Sequence, residues 1–340
     1  MCILILYREV MGYTVAGINQ LASEYSGKIV LVEDRKSKLT AFESEYSQLT
    51  YVDKTELSDQ SLFDYCIGLK ADLVLCAGWI DQCYMKICKT YLRQGIATVC
   101  LFDTIWTGST RQRMAKYTAP FYLKKHFKYM WGSGQRQYEF AKRVGYKHEF
   151  AKTGCYTSDV SLFSMVENHY DAKNILFVGR FVPEKGIDKL LSAFTLLSTK
   201  YPEWTLTLVG SGKINVDGNS NQIIIKEFLQ PQDLVGEFAN ASFLCLPSTF
   251  EPWGVVLHEA AAAGLPILCS ASCGASDSFL RDGYNGKIIH NPLSEELDYL
   301  MSLPVPHLEL MGKRSRMLAV DYNPQIWAST ILRILENEQR

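Results

Sequence analysis

The chain has 340 residues, 47% of them hydrophobic and 21% charged, and its formal net charge is −1. This length favours two domains over one core, and the near-neutral charge argues against a nucleic-acid-binding protein. The short apolar run at 2–7 lacks the basic leader of a signal peptide. The ten cysteines form no paired C-x-x-C motif, so free buried thiols in a reducing cytosol are expected, without structural zinc.

Short β-rich runs alternate with longer helical patterns along the chain. This alternation predicts parallel sheets covered by helices on both faces. The predicted strands are 2–7, 28–33, 72–76, 97–102, 129–132, 150–153, 174–178, 205–209, 222–226, 243–246, 266–270 and 287–290. The predicted helices include 13–25, 58–69, 134–144, 186–201, 232–240, 255–263 and 294–303.

The alternation occurs twice, and a less regular segment at 155–173 separates the two runs. We therefore expect one Rossmann-like domain at 1–160 and a second at 170–320, each a doubly wound α/β sheet. Ligands bind at the carboxyl ends of the strands in such sheets, so the expected site is a cleft between the domains. A last helical pattern, 323–340, has no strand after it and is free to pack back on the first domain.

The segment STFEPWGVVLHE at 248–259 carries the strongest functional signal. Glu251 and Glu259 bracket Gly254, which lets the backbone approach a ligand closely. The following helix would present unpaired N–H groups and the positive end of its dipole, which suits a phosphate. The carboxylates could accept sugar or ribose hydroxyls. The alternative is a loop entering a core helix, with Glu259 in a structural ion pair.

Two further strand ends suit an anionic ligand. Arg180 follows a predicted strand and Lys185 opens the next helix, so two cations flank a strand–loop–helix junction. The turn after 205–209 contains Gly210 and Gly212, where a base or phosphate could lie close to the backbone. Solvated surface cations are the alternative for Arg180 and Lys185.

These motifs keep a fixed order: G-R-x-x-x-E-K-G at 179–186, V-G-x-G at 209–212, P-S-x-x-E-x-x-G at 247–254 and E-x7-E at 251–259. A-G-x-P at 263–266 and D-G-x-x-G at 282–286 follow. Residues 174–290 resemble the donor-binding domain of the family 4 retaining glycosyltransferases, a branch of the glycosyl transferases group 1. The resemblance implies the GT-B architecture, in which two Rossmann-like domains face a central cleft.

The resemblance also implies roles for individual positions. Two cations would bind the donor's diphosphate, two carboxylates would contact the sugar and the ribose, and backbone segments would face the sugar, phosphate and nucleotide. The positions are Arg180 and Lys185 for the diphosphate, Glu251 for the sugar, Glu259 for the ribose, Gly254, Val255 and Val256 for the sugar and phosphate, and Gly210 and Gly212 for the nucleotide.

The first half departs from the family pattern. Its first loop contains only Gly12 and Gly17, of which Gly12 is the candidate donor contact. Asp103 stands where the family tends to carry a histidine, and it could bind a sugar hydroxyl, assist proton transfer or cap the strand end. His258 receives no role from the resemblance and is expected to be packed or on the surface.

The resemblance implies a retaining transferase that moves a sugar from a UDP- or GDP-sugar to a glycan or lipid-linked acceptor. Lipopolysaccharide, O-antigen or capsule assembly is the expected setting. The chain has no D-x-D pair, so Arg180, Lys185 and a helix N-terminus are expected to replace a metal. The alternatives are a sugar-phosphate synthase, a nucleotide-sugar epimerase or an inactive sugar-nucleotide-binding protein. A dehydrogenase is disfavoured because no G-x-G-x-x-G follows the first strand.

A basic and aromatic segment lies at 111–147, with ten Lys or Arg residues and one acidic residue, Glu139. Such a run is either a solvated helical face or a surface that binds anionic lipid. Nucleic acid is disfavoured by the total charge. The protein is therefore expected in the cytoplasm, either free or peripheral on the cytoplasmic face of a membrane.

Overall fold

The computed structural model describes residues 1–34, 46–213 and 221–339. The chain divides into two compact units: Met1–Thr157 with Tyr322–Arg340, and Ser158–Asp321. Each unit contains one wholly parallel sheet with helices between its strands, which confirms the predicted α/β class. Arg340, the last residue of the predicted terminal helix, lies outside the described residues.

The first unit contains a seven-stranded sheet in the order β3-β2-β1-β4-β5-β6-β7. Because β1 pairs with both β2 and β4, the direction of winding reverses there, and the loops after β1 and β4 meet at one edge. The strands are β1 (Cys2–Tyr7), β2 (Lys28–Glu33), β3 (Leu49–Asp53), β4 (Leu73–Ala77), β5 (Ala97–Phe102), β6 (Tyr129–Gly132) and β7 (Ala151–Thr153). The helices are α1 (Gly12–Glu24), α2 (Asp59–Gly68), α3 (Gln82–Arg93), α4 (Thr110–Leu123) and α5 (Gln135–Arg143).

Side chains of β1 alternate between two hydrophobic clusters on opposite faces of this sheet. Leu4 and Leu6 join a cluster that includes Tyr84 of α3, whereas Ile3 and Ile5 join one that includes Leu21 of α1. A parallel strand buried on both faces reads as an unbroken apolar run, as CILILY does. The two clusters confirm that the sheet is doubly wound.

Strand β3 was absent from the predicted elements. Among the described strands it lies at the edge of the sheet and pairs with β2 alone, and all five of its residues are partly exposed. A half-buried edge strand needs no continuous apolar run, so LTYVD carries little sequence signal.

The second unit contains a six-stranded parallel sheet in the order β10-β9-β8-β11-β12-β13. Here β8 pairs with both β9 and β11, so the loops after β8 and β11 meet at the switch point. The strands are β8 (Asn174–Val178), β9 (Thr205–Val209), β10 (Ile223–Lys226), β11 (Phe243–Leu246), β12 (Ile267–Ser270) and β13 (Gly286–Ile289). The helices are α6 (Val160–Ser164), α7 (Ile187–Leu197), α8 (Pro231–Ala239), α9 (Val255–Ala263), α10 (Ser276–Phe279), α11 (Leu293–Ser302) and α12 (Val305–Ala319).

The segment predicted to separate the domains contains structure of the second unit. Helix α6 packs in that unit through Phe163, whose ring lies edge-on to Phe238 with 5.4 Å between centroids. The unit therefore begins at Ser158, earlier than the predicted residue 170.

Helix α13 (Pro324–Gln339) returns to the first unit and packs against α1. Trp327 is buried there, and its indole Nε1 donates a hydrogen bond to the carbonyl oxygen of Cys155 at 3.0 Å. All ten cysteines are buried and unpaired by disulfides, as predicted. Among residues 1–34, 46–213 and 221–339, no helix is long and apolar enough to cross a bilayer.

Candidate active site

The loops after β8 and β9 lie side by side in the second unit. The Gly179 amide donates to Val209 O at 3.0 Å, and the Phe181 amide donates to Ser211 O at 2.7 Å. Gly210 has a φ of +157°, and a Cβ there would lie 1.8 Å from Gly179 O. Gly212 has a φ of +134°, and its Cβ would lie 2.6 Å from Phe181 O. Close packing of the two loops is thus one physical reason for both glycines.

The loop after β8 is also tied to the loop after β11. Thr249 donates its backbone N–H to Glu184 O at 2.8 Å. Gly186 begins α7 in the left-handed conformation, at φ +70°, and a Cβ there would lie 2.3 Å from Pro247 O. Backbone contact therefore brings the two predicted motifs together at the switch point of the sheet.

Lys185 and Glu251 form an ion pair between Nζ and Oε2 at this junction. Their side chains are only 14% and 11% exposed. A poorly hydrated pair of this kind holds both side chains in place, and neither charge is left uncompensated.

Arg180 is placed differently from Lys185. Its side chain is 70% exposed, and its nearest carboxylate is Glu184, with 3.9 Å between the two charged atoms. A contact this long and exposed restrains the guanidinium little, so Arg180 is free to bind an anion. Both predicted cations thus lie at one strand end, with one ordered and one available.

The N-terminus of α9 lies next to this pair in sequence and in space. Gly254 precedes the helix with φ +91°, and a Cβ there would lie 3.0 Å from Glu251 Cγ. Among the described residues, the backbone N–H groups of Val255 and Val256 have no hydrogen-bond acceptor. Two unpaired amides at the positive end of a nine-residue helix are suited to a phosphate oxygen.

Glu259 lies in the same helix, just over one turn after Val255. Burial raises the pKa of its carboxyl to about 7. Within the part of the chain that is described, this carboxyl has no hydrogen-bond or ion-pair partner, so the described residues supply no structural ion pair for it. A carboxylate that is half-buried and has no partner among the described residues can accept hydrogen bonds from the hydroxyls of a ligand.

His258 is fully buried and packed, as expected. Its Nδ1 accepts the Ser158 N–H at 3.0 Å, and its Nε2 lies 3.0 Å from the carbonyl oxygen of Ala319. A neutral ring with the proton on Nε2 satisfies both contacts. The ring also stacks on Phe279 at 4.2 Å between centroids. The histidine thus joins the first and last segments of the second unit and is not available for catalysis.

The two remaining predicted residues belong to the first unit. Asp103 follows β5 and lines a cavity of about 290 Å³, together with Trp79 and Tyr156. Gly12 is the first residue of α1, next to Tyr13, which also lines this cavity. Trp79 and Tyr156 were not among the predicted site residues. Trp79 could have been predicted, because it follows β4 beside the switch point, where ligands bind in such sheets. Tyr156 could not, because it lies in a segment without strand or helix signals.

Residues 164–317 match the family model of the glycosyl transferases group 1. An uncharacterized glycosyltransferase of Haemophilus influenzae is 32% identical over 160 residues, which are 44% of this chain and 45% of that protein. The chain thus spans less than half the length of this relative. The family-model match at 164–317 contains the Arg180, Lys185 and Glu251 motifs.

Two solved structures resemble the chain over nearly its whole length. Anabaena Alr3699/HepE in complex with UDP and glucose has a TM-score of 0.75 at 15% identity, over 98% of this chain and 99% of that one. A glycosyltransferase from Rickettsia africae has a TM-score of 0.76 at 13% identity, over 100% and 98% of the two chains. These similarities confirm the predicted GT-B fold.

Proposed function

We propose that the protein transfers a sugar from a nucleotide-sugar donor to a glycan or lipid-linked acceptor, since residues 164–317 match the family model of the glycosyl transferases group 1. The observation that carries this proposal is the arrangement at the switch point of the second unit. Ordered Lys185, exposed Arg180 and the free amides of Val255 and Val256 lie on elements tied to one another. Such a set of donors suits a diphosphate.

We assign the two carboxylates to the two sugars of the donor. Glu251 is held by Lys185 beside Gly254, so its remaining lone pairs can accept hydrogen bonds from hydroxyls of the transferred sugar. Glu259 has no partner among the described residues and lies about one helical turn after the free amides of Val255 and Val256. It is therefore placed to accept hydrogen bonds from the ribose hydroxyls. A UDP-sugar is the first donor to test, since Anabaena HepE, which shares the fold, was solved with UDP and glucose.

The chemical step needs neutralisation of the diphosphate that departs. Lys185 and the α9 amides supply fixed positive groups at that position, and the exposed Arg180 supplies a third, so the proposal includes no bound metal. We favour retention through a front-face route, in which the departing phosphate accepts the proton of the acceptor hydroxyl. No enzyme nucleophile is required by this route.

The acceptor is expected to bind in the cavity of the first unit. Trp79 and Tyr156 offer aromatic surfaces there, and Asp103 offers a carboxylate close by. We propose an acceptor of the cell-surface polysaccharide or glycolipid class, modified by a family 4 enzyme on the cytoplasmic face of a membrane.

Thermal-shift measurements with UDP-, GDP-, ADP- and CMP-sugars test the donor. A ligand that binds only the folded state raises its Tm, so one nucleotide class should give a saturable rise that Lys185→Ala abolishes. The matched control is Lys189→Ala, an exposed lysine on α7. No rise with any nucleotide sugar would contradict the proposal. Release of free nucleotide in the presence of an acceptor then separates a transferase from a binding protein.

A further inference from the structure

Helix α4 carries large apolar side chains on its outer face. Met114, Tyr117 and Phe121 are spaced three and four residues apart, so they form one stripe along the helix. Their exposed fractions are 69%, 75% and 73%. Surface helices normally turn such side chains toward the core.

The opposite side of α4 packs on the first unit with smaller side chains. At about 100° per residue, this inner face lies across the helix axis from the exposed stripe. Leu123 is the only fully buried residue of the helix. The inner positions are Gln112, Ala115, Ala119 and Leu123, all partly or fully buried. The polarity of α4 is therefore inverted, and its apolar face is left exposed by the residues of this unit that the structure describes.

Cations border the exposed stripe on both sides. Arg113 lies along one margin within the helix, Arg111 lies along the other, and Lys124 and Lys125 directly follow the last turn; all four are exposed. The Lys124 ammonium lies over the Tyr146 ring, 5.8 Å from its centroid. None of these four cations forms an ion pair with a carboxylate among the described residues. The sequence from 104 to 138 contains no Asp or Glu. The stripe is thus bordered by cations and by no carboxylate from the segment 104–138.

We propose that α4 lies in the headgroup region of an anionic phospholipid bilayer. The stripe would insert among the first acyl carbons, and the bordering cations would contact lipid phosphates. A tyrosine in the stripe suits a boundary where one end of the ring is apolar and the other wet.

Two other occupants fit these observations less well. Nucleic acid would neutralise the cations but would leave Met114 and Phe121 exposed to water. A second copy in a two-fold contact would cover the apolar stripe but would bring four cations of each copy face to face. Anionic lipid satisfies both the apolar and the charged part of the surface.

The inference rests on the proposed function only for the choice of a lipid-linked acceptor. Bilayer binding itself requires neither donor nor turnover, so it is measured independently of nucleotide-sugar binding. Loss of bilayer binding would leave nucleotide-sugar binding intact, and loss of nucleotide-sugar binding would leave bilayer binding intact.

The test is sedimentation of the full chain with vesicles of phosphatidylcholine, alone or mixed with phosphatidylglycerol. We expect sedimentation with the mixed vesicles only, decreasing as salt is raised, since screening weakens the contribution of the cations. Equal sedimentation with both kinds of vesicle, or with neither, would overturn the proposal.

Two triple variants separate the apolar and charged contributions. M114S/Y117S/F121S and R113Q/K124Q/K125Q should each lower the partition coefficient by about tenfold or more. Two matched controls lie in the second unit. Leu196→Ser replaces an apolar side chain that is 75% exposed, and K189Q/K313Q replaces two exposed lysines. Both control variants should bind the vesicles as the unmodified chain does. Unchanged binding by either triple variant would refute the model. A dimer in sedimentation equilibrium that the apolar variant dissociates, without vesicle binding, would instead assign the stripe to a second copy.

Discussion

Lys185 and Glu251 are 66 residues apart in the chain, yet they form an ion pair that is largely shielded from solvent. One follows β8 and the other follows β11, and these two strands are neighbours in the sheet. Glu251 thus orients Lys185 before any ligand is bound. In the proposed function this lysine meets the diphosphate, and the carboxylate that orients it meets the sugar.

Replacing Arg180 or Lys185 with alanine should lower kcat by about 10²-fold, since each substitution removes a positive group from the departing diphosphate. Arg180→Ala should leave the fold unchanged because its side chain is 70% exposed. Lys185→Ala should also reduce stability, because it leaves Glu251 buried without its partner. Steady-state kinetics check both, with Lys189→Ala as the control. If kcat is unchanged in both variants, the diphosphate role is lost.

Glu259 should make stability depend on pH. Burial raises its pKa from 4.5 to about 7, so the folded protein holds this proton more tightly than the unfolded chain. Its contribution to the free energy of unfolding is complete below pH 4.5 and is lost as pH rises through about 7. Urea denaturation should show this decline, roughly 3 kcal/mol, in the unmodified chain but not in Glu259→Gln. Parallel curves for the two proteins would show that Glu259 does not titrate in this range.

Donor affinity should also depend on the ionisation of Glu259, but it should increase with pH where stability decreases. The ionised carboxylate accepts ribose hydroxyls more strongly than the neutral acid does, so the Kd for the donor should fall as pH rises through about 7. Calorimetric titration across this range measures the effect. The Glu259→Gln variant should bind more weakly and show a flat profile, and an identical pH profile in both proteins would remove Glu259 from the site.

Gly210→Ala should destabilise the second unit by more than about 2 kcal/mol. The new Cβ would lie 1.8 Å from Gly179 O, at a φ of +157° that alanine rarely adopts. Gly236→Ala is the matched control, since a Cβ at that position in α8 meets nothing within 4 Å and should stabilise the helix by about 0.5–1 kcal/mol. Thermal denaturation compares the two. Equal Tm values would show that the loops after β8 and β9 separate easily.

His258→Ala should reduce stability without changing donor affinity. The variant removes a stacked ring and leaves the Ser158 N–H and the Ala319 carbonyl without their buried partner, at a cost of about 3 kcal/mol. Denaturation and donor titration should be measured on the same preparation. A large loss of affinity at unchanged stability would place His258 in the donor site instead.

Removal of divalent metal should leave transfer largely intact, because the proposed neutralising groups all belong to the chain. The measurement is turnover before and after treatment with a chelator. Complete loss of turnover that is restored by a divalent ion would refute this view of the leaving group.

The elements of both units were largely predictable because their signals are local. An apolar run such as CILILY is needed wherever a parallel strand is buried on both faces, and a glycine such as Gly186 is needed wherever the backbone turns left-handed against a neighbour. Strand β3 escaped prediction because an edge strand is only half buried. The nine donor-site candidates of the second unit were found through strand-end motifs that recur in a fixed order.

What the sequence determined by itself was therefore the repeated strand–helix alternation and the chemistry at each strand end. Which of those ends meet was decided only by the tertiary structure, since pairing of Lys185 with Glu251 depends on β8 and β11 being neighbours. The same holds for His258, which joins segments far apart in the chain, and for α4, whose outward stripe depends on which face packs. The order of the strands and the face on which each helix packs depend on contacts between residues that are distant in the chain, so a local sequence pattern does not predict them.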